Sequence, residues 1–495
     1  MKKTRAIVAS FAFFAVMAVF LTPTALSATG PSNFTYTYNE WGIPVPSPDA
    51  YRVSAFILGD SLGIGHFDRP QDLHMHGNLL YVVDTYNNRI VTLQMNEDGT
   101  HELAEVVTSV TMPDGQQSTF DRPYGIFVSD WDLTRGERWI ADTFNQRILH
   151  VDTDWNVITV IDRSKLELSL LAEQLDFLPR KIASDFSGRL FVQASHVNRG
   201  LMEFDLTGYF VGYMGAPDVS ISPVDQFWRM IATREQRERM ALFVPVEYNN
   251  VIIDNEGFLF VTTSSPDVDP IRRLNAMGAD VMIRNGLQDP VGDTWYGSAA
   301  GISGPSTFMA AAALPNNTFI AFDSNRGRLF AYDSQGQLLY VWGGVGNREG
   351  HFILPTALVN MGFTLFALDA TAAAITRFDL TEYGAFINDA LAMYQRGLYE
   401  ESVFYWQEVL RMNGNFGLAY IGMARAYLRQ GYYRQAMDMF RIQNDSANFG
   451  RAFSFYRRVW MENYFWIFAA VIGVLMIVPP VVRQTLKVRR EIRNS

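Results

Sequence analysis

The chain of 495 residues contains no cysteine. This absence excludes disulfide scaffolds, cysteine-ligated zinc, iron–sulfur clusters and cysteine nucleophiles. Basic residues are also in the minority, because 41 Lys and Arg face 51 Asp and Glu, a net charge of −10. That balance argues against a nucleic-acid partner, which needs a basic face. Apolar residues make up 48% of the chain, so its body is predicted to be globular.

The N-terminus has the pattern of a secretory signal. Three basic residues among the first five precede the uncharged run Ala6–Leu21, and small residues follow at Ala25, Ser27 and Ala28. This order predicts a signal peptide over 1–28, with an uncleaved N-terminal anchor as the alternative, and a linker over 29–50.

The C-terminus carries a second uncharged run, Tyr464–Val482. Its length suits a bilayer core, and the aromatic residues Trp460, Tyr464 and Trp466 lie at its leading edge. Pro479 and Pro480 lie near its trailing edge, where a helix can afford to break. The tail 483–495 holds five basic residues and one acidic residue, so the positive-inside rule predicts a cytoplasmic tail and an extracytoplasmic body. The lipid bilayer is thus an expected partner of 464–482.

A repeated pattern occupies the middle of the chain. The two clearest copies read Asp-Thr-Tyr-Asn-Asn-Arg-Ile from Asp84 and Asp-Thr-Phe-Asn-Gln-Arg-Ile from Asp142. Each copy has a leading proline, short apolar strands and turn residues between them. The leading prolines stand at Pro70, Pro123, Pro179, Pro245, Pro305 and Pro355. Six such units over 51–380 predict a mainly β fold, a six-bladed β-propeller.

The ends of this array predict how the ring closes. Tyr51–Leu58 reads as a strand that precedes the first proline, and we expect it to be the outer strand of the sixth blade. Ser222 and Pro223 begin a predicted helical insertion over 222–243. We interpret the repeated aspartates as caps at strand ends, and we interpret the recurring Arg89, Arg147, Arg199 and Arg328 as residues that pack between blades.

These copies resemble NHL repeats, a family of six-bladed propellers with an Asp-x-x-Asn-x-Arg-Ile segment in each blade. The resemblance is strongest in the first two copies. It is poor in the third and fourth, where Ala194 and Thr263 occupy the aspartate position.

A different period follows the array. Gly397 and Gly431 lie 34 residues apart, and the aromatic and small residues around them match in the same way. The spacing resembles tetratricopeptide (TPR) repeats, which predicts TPR-like helices over 384–460. The concave side of such repeats comes mainly from the first helix of each, which nominates as groove residues Asn388, Gln395, Tyr420 and Met423.

No catalytic motif emerges from the chain. There is no Gly-x-Ser-x-Gly, and His74 and His76 have no third histidine in a matching strand. The residues after the blade prolines are expected to line the mouth of the central channel. This rule nominates as candidate binding residues Gln71, Asp72, Tyr124, Arg180, Lys181, Glu247 and Asn249.

Two functions remain open from the sequence. The first is a membrane-anchored extracytoplasmic scaffold that binds other membrane or surface proteins. By analogy with proteins of this layout, an ABC importer is one candidate partner. The second is a metal-dependent hydrolase or lyase similar to gluconolactonases, with Asp72, Glu247 and Asn249 as oxygen ligands. Arg180 and Lys181 in the same ring disfavour a bound cation, so we predict no metal site. We also predict no cofactor, and the acidic charge balance predicts no nucleic-acid partner.

Overall fold

A computed structural model of the chain describes residues 35–39, 41–96, 98–129, 131, 136–166, 176–216, 230–233, 247–263, 269–286, 288–294 and 304–494. The predicted signal peptide and most of the predicted insertion over 222–243 lie outside these residues. The chain divides into two compact units, one ending at Gly384 and one running over Ala385–Ser495.

The first unit is a six-bladed β-propeller, as the repeats predict. Blade 1 contains β4 (Asp72–His76), β5 (Leu79–Asp84), β6 (Arg89–Met95) and β7 (His101–Val107). Blade 2 contains β10 (Gly125–Val128), β11 (Arg138–Asp142), β12 (Arg147–Val151) and β13 (Val157–Ile161). Blade 3 contains β14 (Pro179–Ser184), β15 (Leu190–Ala194), β16 (Leu201–Phe204) and β17 (Phe210–Met214).

The other three blades vary more. In its described residues, blade 4 contains β18 (Tyr248–Ile253), β19 (Leu259–Thr263) and β20 (Ile271–Leu274). Blade 5 contains β21 (Phe308–Ala313), β22 (Phe319–Asp323), β23 (Arg328–Tyr332) and β24 (Leu338–Gly343). Blade 6 contains β25 (Pro355–Met361), β26 (Thr364–Asp369), β27 (Ala374–Leu380) and β3 (Tyr51–Leu58). A separate hairpin of β8 (Ser109–Thr111) and β9 (Gln117–Thr119) lies between blades 1 and 2 in sequence.

The inner strands contact one another in a closed circle, in the order β4, β10, β14, β18, β21, β25 and again β4. The ring closes through β3, which pairs antiparallel with β27 from Leu58–Ala374 to Tyr51–Leu380. The prediction that the N-terminal strand completes the sixth blade is therefore confirmed. This pairing covers a sheet edge that would otherwise present unpaired backbone groups.

Both faces of each sheet are buried between neighbouring blades. In β5, Leu80 and Val82 pack in the cluster shared with blade 6, whereas Tyr81 and Val83 pack in the cluster shared with blade 2. Because successive side chains of a strand point to opposite faces, a strand covered on both faces must be apolar throughout. This requirement explains the unbroken apolar run before Asp84.

The repeated aspartates cap backbone groups, as predicted. The Asp84 carboxylate accepts from Asp68 N (2.7 Å), from Asn87 Nδ2 (2.8 Å) and from Arg89 Nε (2.6 Å). Asp142 is bonded in the same way by Asp121 N, Asn145 Nδ2 and Arg147 Nε. The next residue joins blades, since Thr85 Oγ1 donates to Pro123 O (2.7 Å) of the following blade.

The recurring arginines bond groups of their own turn, while their packing between blades stays a prediction. Arg89 and Arg147 are each paired with the aspartate of the same turn. Arg89 also donates to Ile64 O (2.8 Å), in the loop that leads to the first proline. A guanidinium needs several acceptors once its charge is half-buried, and the turn supplies them.

The segment 29–50 is more ordered than a linker in its described part. It forms β1 (Tyr36–Tyr38) and β2 (Pro44–Pro46), and β1 pairs with β24 of blade 5. The buried carboxylate of Asp293 holds this hairpin, accepting from the Tyr36 hydroxyl (2.8 Å), the Tyr38 hydroxyl and Arg328 Nη1 (2.6 Å). Burial, together with the nearby Asp293 charge, raises the pKa of both tyrosines, so they remain hydrogen-bond donors.

The second unit is helical. Its helices are α1 (Glu382–Gln395, which begins in the first unit), α2 (Tyr399–Met412), α3 (Gly417–Gln430), α4 (Tyr433–Ile442) and α5 (Ser446–Asn494). Gly397 and Gly431 adopt φ of 81° and 83° between successive helices, a conformation that favours glycine. The positions of these turns match the 34-residue period, while the assignment to TPR repeats stays a prediction.

Helix α5 is long and apolar enough to cross a membrane, the one such helix in the described part of the chain. Its first turns pack on α3 and α4 through Phe449 and Ala452. The helix does not break at Pro479 and Pro480 but continues through both prolines to Asn494. Prolines can be tolerated in an apolar helix when neighbouring groups and local adjustments compensate for the lost bonds.

Candidate functional site

The six inner strands surround a central cavity of about 520 Å³. Apolar side chains such as Ile126, Val251 and Leu358 make up much of its wall. Polar residues also line it at separate points, namely Asp72, His74, Lys181, Asn250, Asp254, Asn255 and Asn360. A pocket of this size that combines apolar walls with polar groups is a default candidate for ligand binding.

The buried ion pair of Asp72 and Lys181 is the main charged feature of the cavity. The Lys181 ammonium donates to the Asp72 carboxylate and to Gln71 O (2.9 Å). The second carboxylate oxygen of Asp72 accepts from Ile126 N (3.2 Å). Because these groups belong to blades 1, 2 and 3, the network joins three blades around the channel.

The environment of Asp72 does not resemble a cation site. Burial raises the pKa of its carboxyl, while the Lys181 charge and the hydrogen bonds act in the opposite direction. An ammonium in direct contact with the carboxylate competes with any metal ion for the same oxygens. The described residues contain no cluster of three or more His, Asp or Glu side chains that could hold a metal.

His74 faces the same cavity from the middle of β4. Its Nε2 donates to Val128 O (3.2 Å), and its ring lies 4.9 Å from the ring of Phe127. Burial lowers the pKa of His74 to about 4, so the imidazole is neutral at pH 7. The side chain thus acts as a wall residue that is already hydrogen-bonded, and it lies inside the channel rather than at the surface.

The other channel-mouth candidates lie outside the cavity. Tyr124 and Arg180 contact each other, with the Arg180 guanidinium 4.8 Å from the Tyr124 ring centre. Asn249 Nδ2 donates to Phe308 O (3.1 Å) of the neighbouring blade. Gln71 and Glu247 are half-buried beside the strands, and only the backbone carbonyl of Gln71 joins the ion-pair network.

Two irregularities in strand pairing explain this division. The pairing of β14 with β15 skips Arg180, and the pairing of β18 with β19 skips Asn249. A bulged residue leaves the ladder, and the residue after it takes the inward position. Lys181 and Asn250 therefore face the cavity. Sequence reasoning missed Asn250 because spacing from a proline does not reveal a bulge.

Of the four predicted groove residues in the helical unit, two are buried and two are accessible. Asn388 and Met423 are buried, with 2% and 5% of their surfaces exposed, so a partner cannot reach them directly. Gln395 is exposed, and Tyr420 is half-exposed with its hydroxyl bonded to Gly414 O (3.2 Å). The latter two remain the accessible members of the predicted groove.

Comparisons with known proteins give only distant similarities. No known family description and no curated protein matches the chain. Virginiamycin B lyase from Staphylococcus aureus is similar in structure, with a TM-score of 0.41, 10% identity and coverage of 67% of this chain and all of the lyase. A streptogramin B lyase structure has a TM-score of 0.39 at 12% identity, covering 68% of this chain and all of that chain.

Nidogen, in its complex with laminin, scores 0.33 at 13% identity, covering 59% of this chain and 84% of the nidogen chain. At this level of similarity, none of these proteins indicates what the present chain binds or catalyses. The resemblance to NHL repeats rests on the turn motif described above.

Proposed function

We propose that this chain is a membrane-anchored scaffold whose propeller and helical repeats bind other proteins outside the cytoplasm. Helix α5 carries the proposal. Its first turns pack on α3 and α4, while its apolar part, from Tyr464 to Val482, has exposed side chains throughout almost its entire length. A bilayer would cover such a surface, and its continuity with the packed helices would tie them to the membrane.

The site chemistry supports binding over catalysis. The carboxylate of Asp72 is paired with Lys181, and His74 is neutral and bonded. Neither group is arranged as a general base beside a nucleophile. Rigid blades with paired polar groups suit recognition of a partner, and other membrane or surface proteins, an ABC importer among them, are the expected partners.

The proposed topology predicts a protease result. Five basic residues follow the span, at Arg483, Lys487, Arg489, Arg490 and Arg493. We expect protease added to intact protoplasts to digest the propeller and to spare a C-terminal epitope tag, because the positive-inside rule predicts a cytoplasmic tail. Immunoblots for tags in the propeller and at the C-terminus measure both. Protection of the propeller in intact cells would contradict the topology.

The accessible groove residues predict a loss of partner binding. We expect the Gln395→Ala/Tyr420→Ala variant to recover less partner after crosslinking in solubilised membranes, with unchanged propeller unfolding. Trp406→Ala is the folding control, since it removes a buried indole at a cost of about 3–5 kcal/mol and should unfold the helices themselves. Mass spectrometry of the crosslinked material measures recovery. An undiminished complex after deletion of 388–443 would place binding on the propeller instead.

A further inference from the structure

Arginines stacked on aromatic rings form a continuous surface on one face of the propeller. The Arg69 guanidinium lies 5.0 Å from the ring centre of Tyr86 in blade 1. The Arg122 guanidinium lies 3.3 Å from the ring centre of Phe144 in blade 2. Both pairs join the residue before a blade proline to the residue after the Asp-Thr of the same blade. The same construction is thus built twice, side by side.

Blade 3 extends this surface. Arg180 covers the ring of Tyr124, whose ring centre lies 6.3 Å from that of Phe144. Tyr86 lies near enough to Tyr124 to add to the rise of the Tyr124 pKa that burial causes. We call these six residues the Arg–aromatic patch: Arg69, Tyr86, Arg122, Tyr124, Phe144 and Arg180.

The repeats themselves show that the patch is not required by the fold. Blades 5 and 6 keep the capping aspartates, Asp323 and Asp369. At the position before the proline, however, they have Gly304 and Leu354 instead of arginine. At the position of Tyr86 and Phe144 they have Asn325 and Thr371. The stacked pairs are therefore an addition to the repeat, confined to one side of the ring among the described blades.

The backbone under the two arginines is unfavourable for them. Arg69 and Arg122 both adopt φ of 43°, a left-handed conformation that residues with a side chain seldom take. Gly304 occupies the same position in blade 5 with φ of 83°. Glycine would suit the turn in blades 1 and 2 equally well. An unfavourable residue in two adjacent repeats indicates a role other than stability.

Charge defines what the patch could bind. Arg69 and Arg180 are exposed, while Arg122 shares part of its charge with Asp121 at 3.2 Å, and Asp68 is exposed next to Arg69. Residues 6–482 as a whole carry 33 basic and 50 acidic side chains, a net charge of −17. The patch is thus a small cationic area on an acidic body. A long acidic polymer would extend beyond the patch onto the surrounding acidic surface, which repels it. A short acidic segment would contact the patch alone.

We propose that the Arg–aromatic patch binds a short acidic segment of a partner protein. The stacked rings hold each guanidinium in place, so that its free N–H groups can bond a carboxylate in the two-pronged geometry. Arg and Tyr are also the residues that dominate binding energy at protein interfaces. This inference rests on the proposed scaffold function and names the chemistry of its partner.

A labelled peptide tests the proposal directly. The probe is a fluorescein-labelled peptide of about twelve alternating Glu and Gly residues, titrated with the full-length protein in detergent and followed by anisotropy. We expect binding that weakens as salt increases. The Arg69→Gly/Arg122→Gly/Arg180→Gln variant should bind at least about tenfold more weakly, because each removed arginine is a charged hydrogen-bond donor. Its thermal unfolding should not fall, since glycine suits both turns.

Two further variants make the test specific. Replacing the same three arginines by lysine keeps the charge but removes the planar fork, and should give an intermediate affinity. Lys165→Gln removes one charge from another cation–ring pair, on Tyr209, and should change nothing. Undetectable peptide binding, equal binding by the triple variant, or tighter binding of polygalacturonate than of the peptide would each overturn the proposal. The crosslinked complex tests the scaffold function separately, because it can persist when the patch variant no longer binds the peptide.

Discussion

Deletion of Tyr51–Leu58 is expected to prevent the propeller from folding to a soluble monomer. These eight residues form β3, the only partner of the outer edge of β27 in the described sheet. Without them, the backbone groups of Ala374–Leu380 become an open edge that can pair with another chain. Size-exclusion chromatography and thermal unfolding of the purified protein measure the outcome. A monomeric deletion variant with unchanged unfolding would show that β3 does not close the ring.

A matched pair of substitutions separates ring closure from a mere loss of length. Ile57 is fully buried in the cluster between blades 6 and 1, whereas the adjacent Phe56 is 45% exposed. Ile57→Asp places a charge in this cluster and should cost at least about 4 kcal/mol, from the lost apolar burial and the desolvated carboxylate. Phe56→Asp also replaces an apolar residue of β3 by aspartate, but at an exposed position, and it should lower the free energy of unfolding by less than about 1 kcal/mol. Equal effects at both positions would contradict the alternation of β3.

The second large effect is expected at the ion pair in the channel. Asp72→Ala leaves the Lys181 ammonium buried without its carboxylate and should lower the free energy of unfolding by about 3 kcal/mol. Lys181→Ala should cost a similar amount, because it leaves a buried carboxylate. Urea unfolding of each variant, followed by tryptophan fluorescence, measures these values.

The double variant Asp72→Leu/Lys181→Met is the decisive control. Two apolar side chains of similar size remove both charges together, so it should be more stable than either alanine variant, within about 1–2 kcal/mol of the original protein. The residual loss comes from Ile126 N, which loses its acceptor. Additive effects of the two sites would mean that the pair does not interact, and would contradict the network that joins blades 1, 2 and 3.

Much of the propeller could be predicted because its repeats carry their own turn chemistry. Asp84 and Asp142 occur in nearly identical phrases, and a carboxylate at that spacing can only cap the same turn in each copy. Tyr51–Leu58 was recognisable as a closing strand because an array of six sheets needs one more strand at its end. Periodicity and edge protection were sufficient for this part of the fold.

The site was less predictable because it depends on single-residue shifts. Asp72 and Lys181 were expected at the channel mouth, and the structure brings them together across the channel. Arg180 was expected there too, but a bulge turns it outward and Lys181 inward. A shift of one residue reverses which side chains of a strand point inward. Composition does not reveal where in the strand such a bulge occurs. The same limit hid Asn250.

The other misplaced segments involve long-range contacts. Tyr36 and Tyr38 looked like linker residues because nothing near them in sequence binds their hydroxyls. Their acceptor is the Asp293 carboxylate, 257 and 255 residues further along the chain. Local patterns cannot report a partner at that distance, and the strand β1 exists because of it.

The position of β3 also orders the biosynthesis of this protein. Among the strands of the six blades, β3 leaves the ribosome first and its neighbours in blade 6 leave last, as the bond from the Tyr51 hydroxyl to Phe363 O over 312 residues illustrates. Contacts of such high sequence separation form slowly, and β3 has no partner until most of the propeller has been translated. A chain released before Leu380 lacks part of the sheet that β3 joins, so its ring stays open and a closed propeller requires translation through blade 6.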